Sequence, residues 1–229
     1  GDVDIIDFIT FASTGDALDF GDLSANRRYS TGGADSTRTL FAGGATGPVN
    51  IIEYVTTQST GDAVDFGDLT SARQSGAQSA CSPTRAVFGG GDPSTVNIID
   101  YVTTSTLGNA ADFGDKTAGG AYASGLTSNA IRGLATATAY GTNSNVIEFI
   151  TIATLGNAQD FGDLTVSRSA VSSTASPTRA VFQNGLTPAT QNVMDYTQIP
   201  TTGNAVDFGD SLDTIVAATS ISNGHGGLG

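Results

Sequence analysis

Ten aspartates stand in five pairs, each pair enclosing Phe-Gly: Asp19/Asp22, Asp65/Asp68, Asp112/Asp115, Asp160/Asp163 and Asp207/Asp210. Carboxylates at a short, repeated spacing suit two kinds of chemistry. They can supply oxygen ligands to Ca2+, which takes several carboxylates and carbonyls. They can also close turns by accepting backbone N–H groups. A site that ligates one ion need not recur five times, whereas a turn that shapes a repeated unit must. The turn reading is therefore favoured and no cofactor is expected, with Ca2+ on these ten residues as the alternative. The kinase magnesium motif also reads DFG, but the glycine-rich loop and lysine that accompany it are missing here.

Other reactive groups are scarce. The single histidine, His225, lies in a Gly-rich stretch, and the single cysteine, Cys81, in a Ser-rich turn. Neither has a base or orienting partner near it in sequence, so nucleophilic catalysis is not expected. A His-built metal site needs more than one such residue. The basic residues are few and fall mostly at two recurring positions. One holds Arg27, Arg73 and Arg168, and the other Arg38, Arg85, Arg132 and Arg179. An ion pair or hydrogen bond between neighbouring units is their expected use. At the first position Gly120 and Ile215 replace the arginine in two copies.

These residues are placed by a repeat. "STGDALDFGD" (13–22) returns as "STGDAVDFGD", "TLGNAADFGD", "TLGNAQDFGD" and "TTGNAVDFGD", with the first Asp of DFGD at 19, 65, 112, 160 and 207. A period of 46–48 residues signals a repeat architecture. An aromatic precedes the DFGD Phe by 12 positions in every copy, from Phe8/Phe20 through Tyr196/Phe208, so a rigid segment is being copied. Within it, "NIIEYVT" (50–56) reads as a strand with apolar groups on both faces, suited to a sheet covered on both sides. A Gly-Asp or Gly-Asn hairpin signal follows, and then a second short strand on which Val64 and Phe66 share a face. "SPTRAVFGGG" (82–91) supplies a third strand ending in glycines. The small-residue run before it supplies a fourth, fit for a crowded axis. Four short strands in about 47 residues make one propeller blade.

The expected fold is an all-β single domain over residues 1–229. It is a five-bladed β-propeller whose ring is closed by strands from both ends of the sequence, because closure removes exposed sheet edges. The segment reads as a piece of a longer protein. Val, Ile, Thr, Phe and Tyr dominate its apolar runs, and 30 glycines supply its turns. Its formal charge of −13 repels phosphate backbones, so nucleic acid is not an expected partner. No apolar run is long enough for membrane insertion.

The double glycines Gly43-Gly44 and Gly90-Gly91, with Tyr54 and Tyr101 after them and an arginine beyond DFGDL, resemble the kelch-type propeller repeat. The pattern N-x-I-[DE]-[YF]-x-T…G-[ND]-A-x-D-F-G-D-L is similar to arrays in structural and fibre-type proteins of marine cyanophages and related tailed phages. That resemblance covers nearly the whole chain. It implies a non-enzymatic module of a virion tail, nozzle or fibre, virion-borne or extracellular, whose partners are other virion proteins or host-surface glycans. A multivalent, lectin-like propeller is the alternative. Recognition on a rigid scaffold falls to its variable connections. Here these are residues 45–48, 92–95, 140–144 and 186–191, which offer Thr46, Asp92, Tyr140, Asn143 and Thr187 as binding candidates.

Overall fold

A computed structural model describes residues 1–45, 47–74, 78–91, 96–118, 126–137, 142–216 and 220. Every regular element among them is a β-strand. The chain opens with a hairpin, β1 (Val3–Phe8) and β2 (Leu18–Arg27), paired only with each other. Four antiparallel four-stranded blades follow. Blade I holds β3 (Thr31–Ala34), β4 (Arg38–Ala42), β5 (Val49–Thr56) and β6 (Val64–Arg73), in that order. Blade II holds β7 (Gln78–Cys81), β8 (Arg85–Gly89), β9 (Ile98–Thr103) and β10 (Ala111–Asp115). Blade III holds β11 (Leu126–Ser128), β12 (Arg132–Thr136), β13 (Ser144–Thr151) and β14 (Gln159–Arg168). Blade IV holds β15 (Ser172–Ala175), β16 (Arg179–Gln183), β18 (Ala189–Gln198) and β19 (Val206–Ile215), with the short β17 (Leu186–Thr187) folded onto β18.

The fold is thus a β-propeller of four blades, not the expected five. By repeat position β1 and β2 match β5 and β6, the outer pair of a blade. The inner pair expected for them falls on residues 217–229, of which only Ser220 is described. Ring closure by the two ends therefore lies outside the described residues, and the hairpin stands as half a blade.

The small-residue strands take the expected axial place. β3, β7, β11 and β15 line a shared channel of about 330 Å3 walled by groups such as Gly33, Ser79, Ser128 and Ala175. A Cβ on Gly33 would stand 2.9 Å from Cys81 Sγ, and one on Gly133 2.8 Å from Ala80 Cβ. Larger side chains there would push neighbouring sheets apart. Cys81 ends β7 beside this channel, buried, and not in a turn as its Ser-rich surroundings suggest.

The apolar core lies between blades. Leu40, Ile52, Phe66 and Leu69 of blade I pack with Phe88 and Val102 of blade II. Phe113 of blade II meets Ile150, Ile152 and Ala158 of blade III, and Phe161 and Leu164 of blade III meet Phe182 and Ile199 of blade IV. Phe66, Phe113 and Phe161 each reach this layer through a bulge. Glu53 pairs with Asp65 and Ile52 with Gly67, so Phe66 is the extra residue between them. The period-two reading of this strand is corrected here. Val64 is exposed while Phe66 is buried, because the bulge turns the phenylalanine toward the next blade.

Candidate functional site

The recurring chemistry of the units converges on one place, the joint where a DFGD strand meets the next unit. The loop after β5 runs Gly61-Asp62-Ala63 alongside β2. Gly61 N–H donates to Phe20 O at 2.7 Å and Ala63 N–H to Asp22 O at 2.8 Å, while Asp22 N–H donates to Asp62 Oδ1 at 3.1 Å. The same three bonds recur between Gly108-Asn109-Ala110 and β6, Gly156-Asn157-Ala158 and β10, and Gly203-Asn204-Ala205 and β14. The Gly-Asp and Gly-Asn stretches do connect antiparallel hairpins, as expected, and each also docks on the preceding unit. Asp62, Asn109, Asn157 and Asn204 are the residues that sequence reasoning missed. Their signal is the strict Asp/Asn after glycine, since both side chains present the same accepting oxygen.

Glycine is required on the receiving side. Gly21, Gly67, Gly114 and Gly162 all hold φ between +144° and +149°. A Cβ on any of them would lie 2.4–2.5 Å from the backbone of the docked glycine. No larger residue lets the two backbones come so close.

Among the described residues, two of the ten paired aspartates close a local turn with their side chains. Asp112 Oδ1 accepts from Gly114 N–H at 3.2 Å, and Asp207 Oδ1 from Gly209 N–H at 3.1 Å, the turn-closing contact expected of every Asp in the pairs. Asp22, Asp68, Asp115 and Asp163 work through their backbone groups, as the joint bonds show. Asp22 sits above the usual carboxylate range, through loss of solvation and the nearby charges of Asp4, Asp62 and Asp19. Among the described residues no three His, Cys, Asp or Glu side chains gather where one ion could bind them. Asp19, Asp65, Asp160, Asp68, Asp115 and Asp163 lie on the receiving strands of separate joints and Asp210 on β19, and these residues are not brought together.

A buried ion pair crosses every joint. Arg27 pairs with Glu53, Arg73 with Asp100, and Arg168 with Asp195 at 2.9 Å. In the third unit, where Gly120 stands at the arginine position, Lys116 takes over and reaches Glu148 at 3.5 Å. It does so from the position that leucine holds in DFGDL. The same carboxylates accept from the receiving strand: Thr70 Oγ1 donates to Asp100 at 2.6 Å, Thr117 Oγ1 to Glu148 at 2.6 Å and Thr165 Oγ1 to Asp195 at 2.5 Å. Burial pushes the guanidinium groups of Arg27, Arg73 and Arg168 and the Lys116 ammonium below their ordinary ranges. For Lys116 the Glu148 charge opposes that shift.

The second arginine position rivets adjacent blades. Arg38 lies 4.8 Å over the Tyr54 ring and donates to Thr104 O of blade II at 2.6 Å. Arg85 over Tyr101 donates to Ile152 O, and Arg132 over Phe149 donates to Ile199 O, both at 2.9 Å. Arg179 covers Tyr196 in the same way at 4.9 Å.

Of the loop candidates, Thr46, Asp92 and Tyr140 lie outside the described residues, as does His225. The other two are brought together. Asn143 Nδ2 donates to Thr187 Oγ1 at 3.1 Å at an exposed position, joining the variable connections of blades III and IV. No protein-family profile matches the chain, and no curated protein matches it.

Proposed function

We propose that the chain is a non-enzymatic scaffold module of a phage-like virion, a tail, nozzle or fibre component that builds structure or carries host attachment. One observation carries the non-enzymatic part of this reading. The polar groups that recur in every unit, from the Asx oxygens to the buried ion pairs, are engaged in holding one unit to the next. Chemistry repeated for assembly leaves recognition to what varies, the connections between blades. The virion assignment is supported by the phage-like pattern of the repeat, which spans nearly the whole sequence.

A lectin-like module is the second reading. It is favoured by the exposed Asn143–Thr187 pair, an amide and a hydroxyl of the kind that bind sugar hydroxyls. Binding to a bacterial-glycan array, once with calcium and once with chelator, separates a structural module from a glycan-binding one. A structural virion module predicts a blank array with folded protein, whereas a host-attachment or lectin-like module predicts saturable binding. Saturable binding lost on Asn143→Ala supports the lectin, and loss under chelator returns the Asp pairs to the role of Ca2+ ligands.

A further inference from the structure

The joint that links the units exists four times, yet five units offer a receiving strand and five offer a docking segment. Two halves are left over, one at each end of the array. At one end stands β19. Phe208 is 50% exposed, whereas Phe66, Phe113 and Phe161 are each 2% exposed, and Leu212 is fully exposed. A Cβ on Gly209 would meet nothing within 4 Å, although its φ of +130° matches the four glycines that receive a neighbour. At the other end stands the docking half. Gly15-Asp16-Ala17 occupies the repeat position of Gly61-Asp62-Ala63. Ile5 and Ile9, which match Ile51 and Val55, are 57% and 56% exposed.

We propose that β19 of one copy receives the Gly15–Ala17 segment of a second copy, joining chains head to tail. The occupant follows from the four joints already built. Each is filled by Gly-Asx-Ala, and the chain's one remaining set of these groups is the first. Within a chain the two halves do not meet, as the empty space at Gly209 and the exposure of Leu212 show among the described residues. Gly15 N–H then donates to Phe208 O, Ala17 N–H to Asp210 O, and Asp16 Oδ1 accepts from Asp210 N–H. A contact that uses different surfaces on its two sides is heterologous, so it builds a ring or an open filament. This inference rests on the repeat and on the two exposed half-joints, and does not depend on the virion reading.

The two halves also differ from the internal joints in a way that can be tested. Leu212 stands where Thr70, Thr117 and Thr165 stand, and Ile215 where Arg27, Arg73 and Arg168 stand. Asp7, at the position of Glu53, therefore meets neither hydroxyl nor guanidinium. The contact between copies is apolar around one uncompensated carboxylate. Asp16, Asp207 and Asp210 add like charge, so salt strengthens association by screening it.

Sedimentation equilibrium of the 229-residue chain over a range of concentrations reads this directly. Association that rises with concentration and with salt is expected. Asp7→Asn tightens it about tenfold, since a buried unpaired charge is removed. Leu212→Asp and Ile9→Asp, both at exposed positions, each leave a monomer with unchanged circular dichroism. Mixing those two variants restores one intact joint and gives a dimer that grows no further. A wild-type chain that stays monomeric at every concentration overturns the proposal. So does an Ala17→Cys/Phe208→Cys variant that forms its disulfide within a monomer, which means the chain closes on itself. A mixture that stays monomeric while the wild type associates places the contact elsewhere and overturns it too.

Discussion

Arg73 and Asp100 are both fully buried and face each other across the joint between blades I and II. Removing one partner leaves the other charge in a low-dielectric interior, which costs about 3–5 kcal/mol, whereas replacing both with apolar residues is often neutral. Urea unfolding should find Arg73→Met destabilised by about that amount, with most of the loss recovered in Arg73→Met/Asp100→Leu. Cys81 gives a second prediction. Burial pushes its thiol up to about 11, so almost no thiolate exists in the folded protein at pH 8. Ellman's reagent should leave the native chain unlabelled and react fully in denaturant; rapid native labelling would place Cys81 in a different environment. The recurring arginines were legible as position-specific residues, but their acids sit on the following unit, where no local pattern points. Lys116 was harder still. It replaces a leucine, and its only trace in sequence is that Glu148 recurs as an acid with no arginine preceding it.

At the scale of the element, the DFGD strand is a bulged strand that accepts a foreign backbone. The aromatic at a fixed 12-residue distance made the two-stranded core of the unit readable. In the structure those rings meet edge to face, from 5.8 Å in Phe8–Phe20 to 6.0 Å in Tyr101–Phe113. The bulge was not readable, because alternation assigns Phe66 to the face of Val64 and one inserted residue reverses it. The docking of Gly-Asx-Ala was equally hidden, since a turn and a strand-docking segment draw on the same residues. Gly67→Ala and Gly209→Ala separate the two demands on this glycine. Both impose a side chain at positive φ, about 1–2 kcal/mol. Only Gly67→Ala also drives a Cβ to 2.4 Å from Gly108 O, adding about 1–3 kcal/mol of overpacking. Thermal or urea unfolding should rank Gly67→Ala clearly below Gly209→Ala; equal losses would mean that the joint is not closely packed.

The whole molecule is a series of near-identical joints, each linking only neighbours, so its stability is expected to behave as a sum over units and interfaces. The period of the repeat, the four strands per blade and the small residues at the axis could all be read from the sequence. The blade count could not. Five copies of the outer pair are present, but whether the first acquires an inner pair depends on contacts between the two ends of the sequence, which no periodicity encodes. The terminal units carry the evidence instead, in Leu212 where the other units hold Ser or Thr and in Ile215 where three of them hold Arg.

The most direct test of the joint is residue-resolved amide hydrogen exchange at a concentration low enough to keep the chain monomeric. Gly61, Gly108, Gly156 and Gly203 each donate a backbone bond to the preceding unit, and Gly15, their repeat equivalent, has no such bond among the described residues. Strong protection at the four and fast exchange at Gly15 is the predicted result. Fast exchange at all five would show that the units are not held by this contact. Equal protection at all five would show that the ring is closed within one chain.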